Sequence, residues 1–559
     1  MSQLRPAGLG PIVGHVTHEG ARVWIRAGDP DDEGASIARH RRTLGVAAIC
    51  EKGKRFTRGR VHYFRLQREY DRTGTFTFGF ETGLGDDEPS AKLTPDTEYQ
   101  VRVGTLTVDD PDPDGESIGS ELLAERLPKA SVWVGDLGKL PDEQSLATFC
   151  TAPDPAAAPG DLAFLLGSCR YPGLLWKAKQ ADQIFGPMYD EAMGRDGRPP
   201  VRLALMVGDQ IYADRMNRLD FGRANTFEEF QERYHTAFGS QNMRKLLSSV
   251  PTYMILDDHE IEDNWSQDRI QKAEGRHVFN LAINAYMSYQ WLHGPRNYGK
   301  HLFYDFVCGG YPFFVLDTRT HRFLDDRSGD LADNHLLGRP SLSPDNEPSQ
   351  LDALLLCLKR EQDARGNVPK FIVSASVFAP NPIDAREGRL AKSPEHAVKW
   401  KEDSDSWPAF PTTRRALLQS IVLNEIQNVV FLSGDIHVSN VAQLAFSGSA
   451  KAAALRAFSI TSSAFYWPFP FADGEPSGYV HDSKAPGQQD TFDVGGGVKL
   501  DYRAWNFTQE DNFCRIDIDR ANHRLVVVPY DDKGIQIEAG GYFGLGARPL
   551  EARLELAAW

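Results

Sequence analysis

Four short apolar runs each end in a side chain of metal-ligand type, and this arrangement constrains the fold more than any other feature of the chain. They read "LAFLLGSC" to Cys169, "RLALMVGD" to Asp209, "TYMILDDH" to Asp258 and His259, and "NVVFLSGDIH" to Asp435 and His437. Runs this short and this continuously apolar are strands covered on both faces. Longer segments of helical character separate them, such as 179–193 and 226–248, so the pattern predicts an α/β layered fold. Sheets of that kind place their ligands at the carboxyl edge of the strands, where these residues stand. Two further runs, "PFFVLDTR" ending at Arg319 and "KFIVSAS" ending at Ser376, are expected in the same sheet.

The first 150 or so residues have a different rhythm. "ARVWIRA" (21–27), "HYFRLQ" (62–67), "TFTFGFE" (75–81) and "TEYQVRVGTLTV" (97–108) tend to alternate apolar and polar residues, which predicts a small antiparallel sandwich. "TAPDPAAAPGD" at 151–161 has the composition of a linker. With 559 residues, too many for one ordinary core, this divides the chain into 1–155 and 156–559. The net charge of −15 argues against a general nucleic-acid surface. Six scattered cysteines indicate neither a disulfide framework nor a zinc ribbon. The absence of a visible signal segment and of any long apolar run leads to the expectation of a soluble, cytoplasmic protein, or a periplasmic or secreted one if a precursor segment is removed.

Each strand end has its own chemistry. In "LDDHEIEDNW" five of the seven positions from Asp257 to Asp263 are acidic. Asp257 followed three residues later by Glu260 matches a helix capping box. That accounts for one or two carboxylates but not for His259 or for the crowding, which a bound cation would relieve. In "GDQIYAD", Gly208 permits a tight turn, Asp209 projects at the sheet edge, and Tyr212 follows at i+3, so carboxylate and phenol can face one metal, with Asp214 in support. Cys169 in "GSCRYP" reads either as an inert buried thiol or as a ligand. Thiolate and phenolate together suit trivalent iron better than magnesium, and carboxylates alone suit a harder ion such as calcium. In "SGDIHVSN", Asp435 and His437 would share one face of an extended strand.

The ordered series "GSCR", "GDQIYAD", "LDDHEIEDNW" and "SGDIHVS" resembles the PhoD-type alkaline phosphatase D family of calcineurin-like metallophosphoesterases. "GLGPIVGHVTHEGARVWIRA" near the start is similar to that family's N-terminal sandwich. The resemblance implies a β-sheet sandwich flanked by helices, preceded by an all-β domain of Fn3/Ig-like type, and a site holding Fe(3+) and Ca(2+), with Zn, Mn or Mg as alternatives at the second position. It also implies roles. Cys169, Tyr212 and Asp435 match the iron-side ligands, Asp209 the bridge, Asp258 the second-metal ligand and His259 the catalytic histidine, while His437 stands near the metals or the phosphate. Typical members carry an asparagine pair before the tryptophan; here Asp263 precedes Asn264 and Trp265.

The expected reaction is hydrolysis of a phosphomonoester or phosphodiester by a metal-activated hydroxide. Arg170 is the candidate for holding phosphate oxygens, and Arg319 is either a second such group or a structural partner of Asp317. Substrates in view are small or polymeric phosphate esters, including nucleotides and lipid head groups. The rival from another class is a binding protein in which metals only staple loops. The aromatic loop "SSAFYWPFPFADGEPSGYV" at 462–480 either shapes the substrate mouth or packs on the core.

Overall fold

Two mixed sheets packed face to face carry the strand ends of interest. The computed structural model describes residues 3–29, 41–109, 125–173, 179–194, 198, 200–214, 222–299, 301–324, 331–341, 348–381, 405–469, 479–484, 491–539 and 548–559. The first sheet runs, edge to edge, Thr252–Ile255, Leu203–Val207, Leu162–Gly167, Asn512–Asp519, Arg524–Asp531, Ala552–Glu555. Its first three strands are mutually parallel and the rest antiparallel. The second runs Tyr304–Cys308, Tyr311–Val315, Lys370–Ser374, Val429–Ser433, Ala457–Thr461, Ser439–Ser447, Val498–Thr508, Phe492–Gly495, with a parallel centre from Tyr311–Val315 to Ala457–Thr461.

The continuous apolar runs are explained by this double cover. Along Leu203–Val207, Leu203, Leu205 and Val207 face the other sheet, whereas Ala204 and Met206 face helices. Between the sheets, the ring of Phe164 lies 5.6 Å from Phe313 and 5.3 Å from Phe371. Truncating Phe164 to alanine there is expected to cost about 3–5 kcal/mol. Helices Phe227–Phe238 and Ala273–Tyr289 cover the first sheet, and Gln350–Arg365 and Pro411–Leu423 cover the second. The helix at 227 starts where Thr226 Oγ1 accepts the Glu229 N–H at 3.3 Å and the Glu229 carboxylate returns to the Thr226 N–H at 3.2 Å.

One expectation is corrected. The six strands with interesting ends do not share a sheet: those before Cys169, Asp209 and Asp258 lie in the first, those before Arg319, Ser376 and Asp435 in the second. Strands buried on both faces look alike in sequence, so periodicity cannot assign them to sheets. The carboxyl ends of both sheets nevertheless meet. Ser168 Oγ donates to Ser462 O at 3.1 Å, and Gly434 approaches Ser168 so closely that an added Cβ would fall 2.4 Å from its Oγ.

Toward the N-terminus, two antiparallel sheets share a core of their own. One comprises Leu4–Arg5, Glu98–Asp109, Arg41–Glu51, Val61–Arg65 and Leu146–Cys150, the other Ala7–Val16, Ala21–Ala27 and Thr73–Phe78. Val23, Ile25 and Phe76 from the second meet Ile49, Val101 and Phe149 from the first. This region is fastened to the helical layer: Trp24 Nε1 donates to Ser288 O at 2.8 Å, and Thr148 N–H to Ser248 O at 2.9 Å. The Asp71 carboxylate accepts from Arg26 at 2.5 Å and from Tyr289, and lies 2.8 Å from His235 Nε2. The stretch 151–161 is irregular, but its start is tied down by Thr151 N–H to Thr97 O and Ala152 N–H to Thr17 O, at 3.0 and 3.1 Å. Among the described residues no helix is long and apolar enough to cross a membrane.

Candidate metal centre

The strand ends turn inward through strained backbone. Cys169, Asp209, Asp435 and His437 all have positive φ (59°, 55°, 74° and 53°), a conformation that disfavours most side chains. Gly208, at φ +89°, sits so close to the next strand end that a Cβ would fall 2.3 Å from the Asp257 Cβ. The strand Val429–Ser433 stops before Asp435, and hydrogen bonds of 3.0 Å from Ile436 N–H to Gly434 O and from His437 N–H to Asp435 O bend the chain there. Asp435 and His437 therefore do not share a strand face, contrary to the expectation from their spacing. Tight turns aim them instead.

Three overlapping groups of donor atoms result, each within 4.8 Å: Cys169, Asp209 and His437; Asp209, Asp258 and His259; and Asp209, Asp257, Asp258 and Asp435. Asp209 belongs to all three. The Tyr212 hydroxyl is 3.3 Å from both Asp209 Oδ2 and His437 Nε2, and Cys169 Sγ is 3.4 Å from Asp209 Oδ2. Cys169, Tyr212 and His437 thus surround one side of Asp209, and the carboxylates of Asp257, Asp258 and Asp435 the other. Asp435, matched by resemblance to the iron side, presents its carboxylate to the acidic group, while its backbone O lies 3.5 Å from Cys169 Sγ.

The electrostatics fit cations. Burial, assisted by neighbouring carboxylates, pushes Asp209 and Asp435 well above the usual carboxylate range. Asp257 is pushed up to about 7 by burial against the pull of Arg319, and its Oδ2 has no hydrogen-bond partner among the described residues. Burial and the Asp209 charge likewise raise Cys169 and Tyr212. Burial lowers His437 to about 3, leaving a neutral imidazole, the form that ligates metals. An excess of buried anionic donors around a neutral histidine, with one oxygen orphaned, is a donor set that cations would satisfy. Thiol, phenol and imidazole on one side suit a softer or trivalent ion; oxygen donors alone on the other suit a hard divalent one.

Supporting residues complete the site. His259 Nδ1 lies 2.7 Å from Asp214 Oδ1, and its ring stacks on Tyr212 at 4.3 Å and 29°. Burial alone would lower the His259 pKa, but Asp214, Asp258 and Asp209 outweigh it and raise it well above the ordinary value. Glu260 is buried with its carboxylate accepting the backbone N–H groups of Asp257, Asp209 and Gln210 at 2.9, 3.0 and 2.6 Å, so it bolts two strand ends together. The capping-box reading holds for this residue.

Both arginine expectations change. Arg319 is fully buried, bonded to Asp257, 2.8 Å from Asp405, 3.5 Å from Asp435 and 3.7 Å from Asp258. It is a counter-ion inside the acidic group, and Asp317 serves it only by accepting its backbone N–H at 3.1 Å. Arg170, expected to face phosphate, is 3% exposed, with its guanidinium 3.5 Å from Ser240 Oγ and over the Phe185 ring at 5.8 Å.

Sequence reasoning passed over Asp405, Arg322, which is fully buried with its guanidinium 4.0 Å from Asp405, and Trp467. Asp405 is far in sequence from any motif. Trp467, which lies flat on His437 at 3.5 Å and 12°, was detectable only as part of the aromatic loop, whose residues 470–478 lie outside the described residues.

Comparison with known proteins gives the family. A family model described as PhoD-like phosphatase matches residues 177–483, which includes Asp209, Asp258, His259, Asp435 and His437 but begins after Cys169. Alkaline phosphatase D of Bacillus subtilis (strain 168) is 24% identical over 308 residues, 52% of this chain and 48% of that protein. The match thus spans about half the length of the curated relative. A solved structure of PhoD superposes with a TM-score of 0.59 over 96% of this chain and 93% of the other, at 15% identity, a likeness of fold. With more than half of its length matched by the family model, the chain belongs to the PhoD-like phosphatase family.

Proposed function

We propose that the protein is a metal-dependent phosphoric ester hydrolase whose centre holds two kinds of cation on either side of Asp209. The observation that carries this reading is the sharing of Asp209 by a thiol–imidazole group and an all-carboxylate group. Cys169, Asp209, Tyr212 and His437 would hold iron, Fe(3+) by donor chemistry. Asp209, Asp257, Asp258 and Asp435 would hold Ca(2+) or another divalent ion. When bound, the cations supply charge neutralisation at the phosphoryl oxygens and a lowered pKa for the attacking water.

The chain's own residues do the rest. Asp214 engages Nδ1 of His259, which leaves Nε2 to hand a proton to the departing ester oxygen. Tyr212 lies against the same imidazole and limits its tilt. Arg319 pairs with Asp257, Asp258 and Asp435 and offsets part of their mutual repulsion. A carboxylate-oriented histidine is superfluous in a site that only staples loops, which weighs against the binding-protein alternative.

The two N-terminal sheets with a common core support reading 1–155 as a sandwich domain of Fn3/Ig-like type and 156–559 as the catalytic domain. The substrate is a small or polymeric phosphate ester. Elemental analysis alongside hydrolysis of a chromogenic phosphomonoester and a phosphodiester tests the reading. Iron near one per chain with chelator-sensitive turnover is expected. No stoichiometric metal after reconstitution, together with no hydrolysis of either ester, would overturn it.

A further inference from the structure

A row of aromatic rings leads from the candidate metal centre to the surface. Tyr212 is the inner end, with its ring 5.1 Å from that of Tyr171 and at 64° to it. Tyr171 meets Trp467 at 5.5 Å and 86°, and Phe469 at 5.4 Å and 75°. Trp467 and Phe469 are 4.9 Å apart at 64°. Exposure rises along the row from 2% at Tyr212 and 6% at Tyr171 to 43% at Phe469.

Two details separate this row from ordinary core packing. Trp467 is placed by stacking on His437 and by its backbone N–H donating to Asp511 at 2.8 Å, while its buried indole Nε1 has no hydrogen-bond partner among the described residues. A buried indole N–H normally finds one. Phe469, for its part, keeps nearly half of its surface in water beside a polar site, and unlike the scattered exposed apolar residues elsewhere it continues a row of rings that reaches Tyr212. The rings meet edge to face, so a flat guest can lie on one face while its edge or face meets the next ring. A saturated guest would gain only burial there.

We propose that Trp467 and Phe469, backed by the buried Tyr171, form a subsite for the planar aromatic part of a phosphate ester, an aryl or nucleobase group, beside the phosphate held at the metals. The proposal rests on the phosphoesterase reading and narrows its substrate class. Phe469 and Trp467 are specificity residues in it, and the phosphate chemistry stays with Asp209 and its neighbours.

Benzyl phosphate and cyclohexylmethyl phosphate provide the test, because their leaving alcohols are alike in bulk and acidity and differ in the π face. The protein should favour benzyl phosphate in kcat/KM by about fivefold, the scale of one good aromatic contact. That ratio should fall toward one in Phe469→Ala and Trp467→Leu and persist in Phe469→Tyr. A ratio near one in the unmodified protein, or one that Phe469→Ala leaves intact, overturns the subsite while the phosphoesterase reading stands. Calorimetric titration with benzylphosphonate and cyclohexylmethylphosphonate gives a readout without turnover. Selective binding of benzylphosphonate with no hydrolysis of either ester supports the subsite and removes the monoesterase reading; neither selectivity nor hydrolysis overturns the subsite and the monoesterase reading together.

Discussion

Nδ1 of His259 lies 2.7 Å from Oδ1 of Asp214, and Oδ2 of the same aspartate accepts the backbone N–H of Asp263 at 2.6 Å. The aspartate therefore fixes the ring and the acidic turn that follows it in a single arrangement. His259→Ala should lower kcat on a phosphomonoester by about 10²–10⁴-fold. Metal content by elemental analysis should be unchanged, and a parallel loss of metal would show that His259 is a ligand instead.

Replacing Cys169 by serine exchanges a soft donor for a hard one in the group around Asp209. The variant should lose iron before it loses calcium, together with any visible absorption from phenolate-to-iron charge transfer. Both are read from purified protein. Iron retained at full stoichiometry would place the thiol outside the metal's coordination.

Arg319→Met removes the positive charge shared by Asp257, Asp258, Asp405 and Asp435. Stranding a buried ion group in this way costs about 3–5 kcal/mol. Denaturant titration of metal-free protein should show the loss, and millimolar divalent cation should restore part of it by binding the native state. A variant as stable as the parent would mean that the carboxylates are neutral without Arg319.

Asp71 predicts a pH dependence far from the metals. Burial opposes its ionisation, but hydrogen bonds with His235, Arg26 and Tyr289 outweigh burial and hold its pKa below the usual carboxylate value. A depressed folded pKa contributes stability above the unfolded pKa of about 3.9 that is lost as pH falls through the folded value. Asp71→Asn should therefore destabilise the protein at neutral pH, and the gap between variant and parent should close as pH falls below 4. Melting curves at several pH values would show it. A constant gap would point to shape rather than charge.

Much of the candidate site was legible because ligand-type residues at the ends of apolar strands are a local signal. Cys169, Asp209, Asp258, Asp435 and His437 all reach the common centre. Part of what escaped depends on distant chain. The carboxylates around Arg319 come from strand ends in different sheets and from Asp405, so sequence proximity to Asp317 misled. Strands Ala7–Val16 and Arg41–Glu51 carry little alternation, with glycines and near-continuous apolar stretches, and the period-two test passed them over. The strands at 512–531 and 552–555, which complete the first sheet, carry no chemistry that would draw attention to them.

The positive φ angles at Cys169, Asp209, Asp435 and His437 bear on how quickly a cation can be captured. Each such residue stores about 1–3 kcal/mol of conformational strain that the surrounding strands and turns must hold in place. Because that bending is completed during folding, an arriving ion meets donors already aimed and needs no loop search. Uptake should then be limited by ion desolvation and entry, with single-phase kinetics that scale with ion concentration.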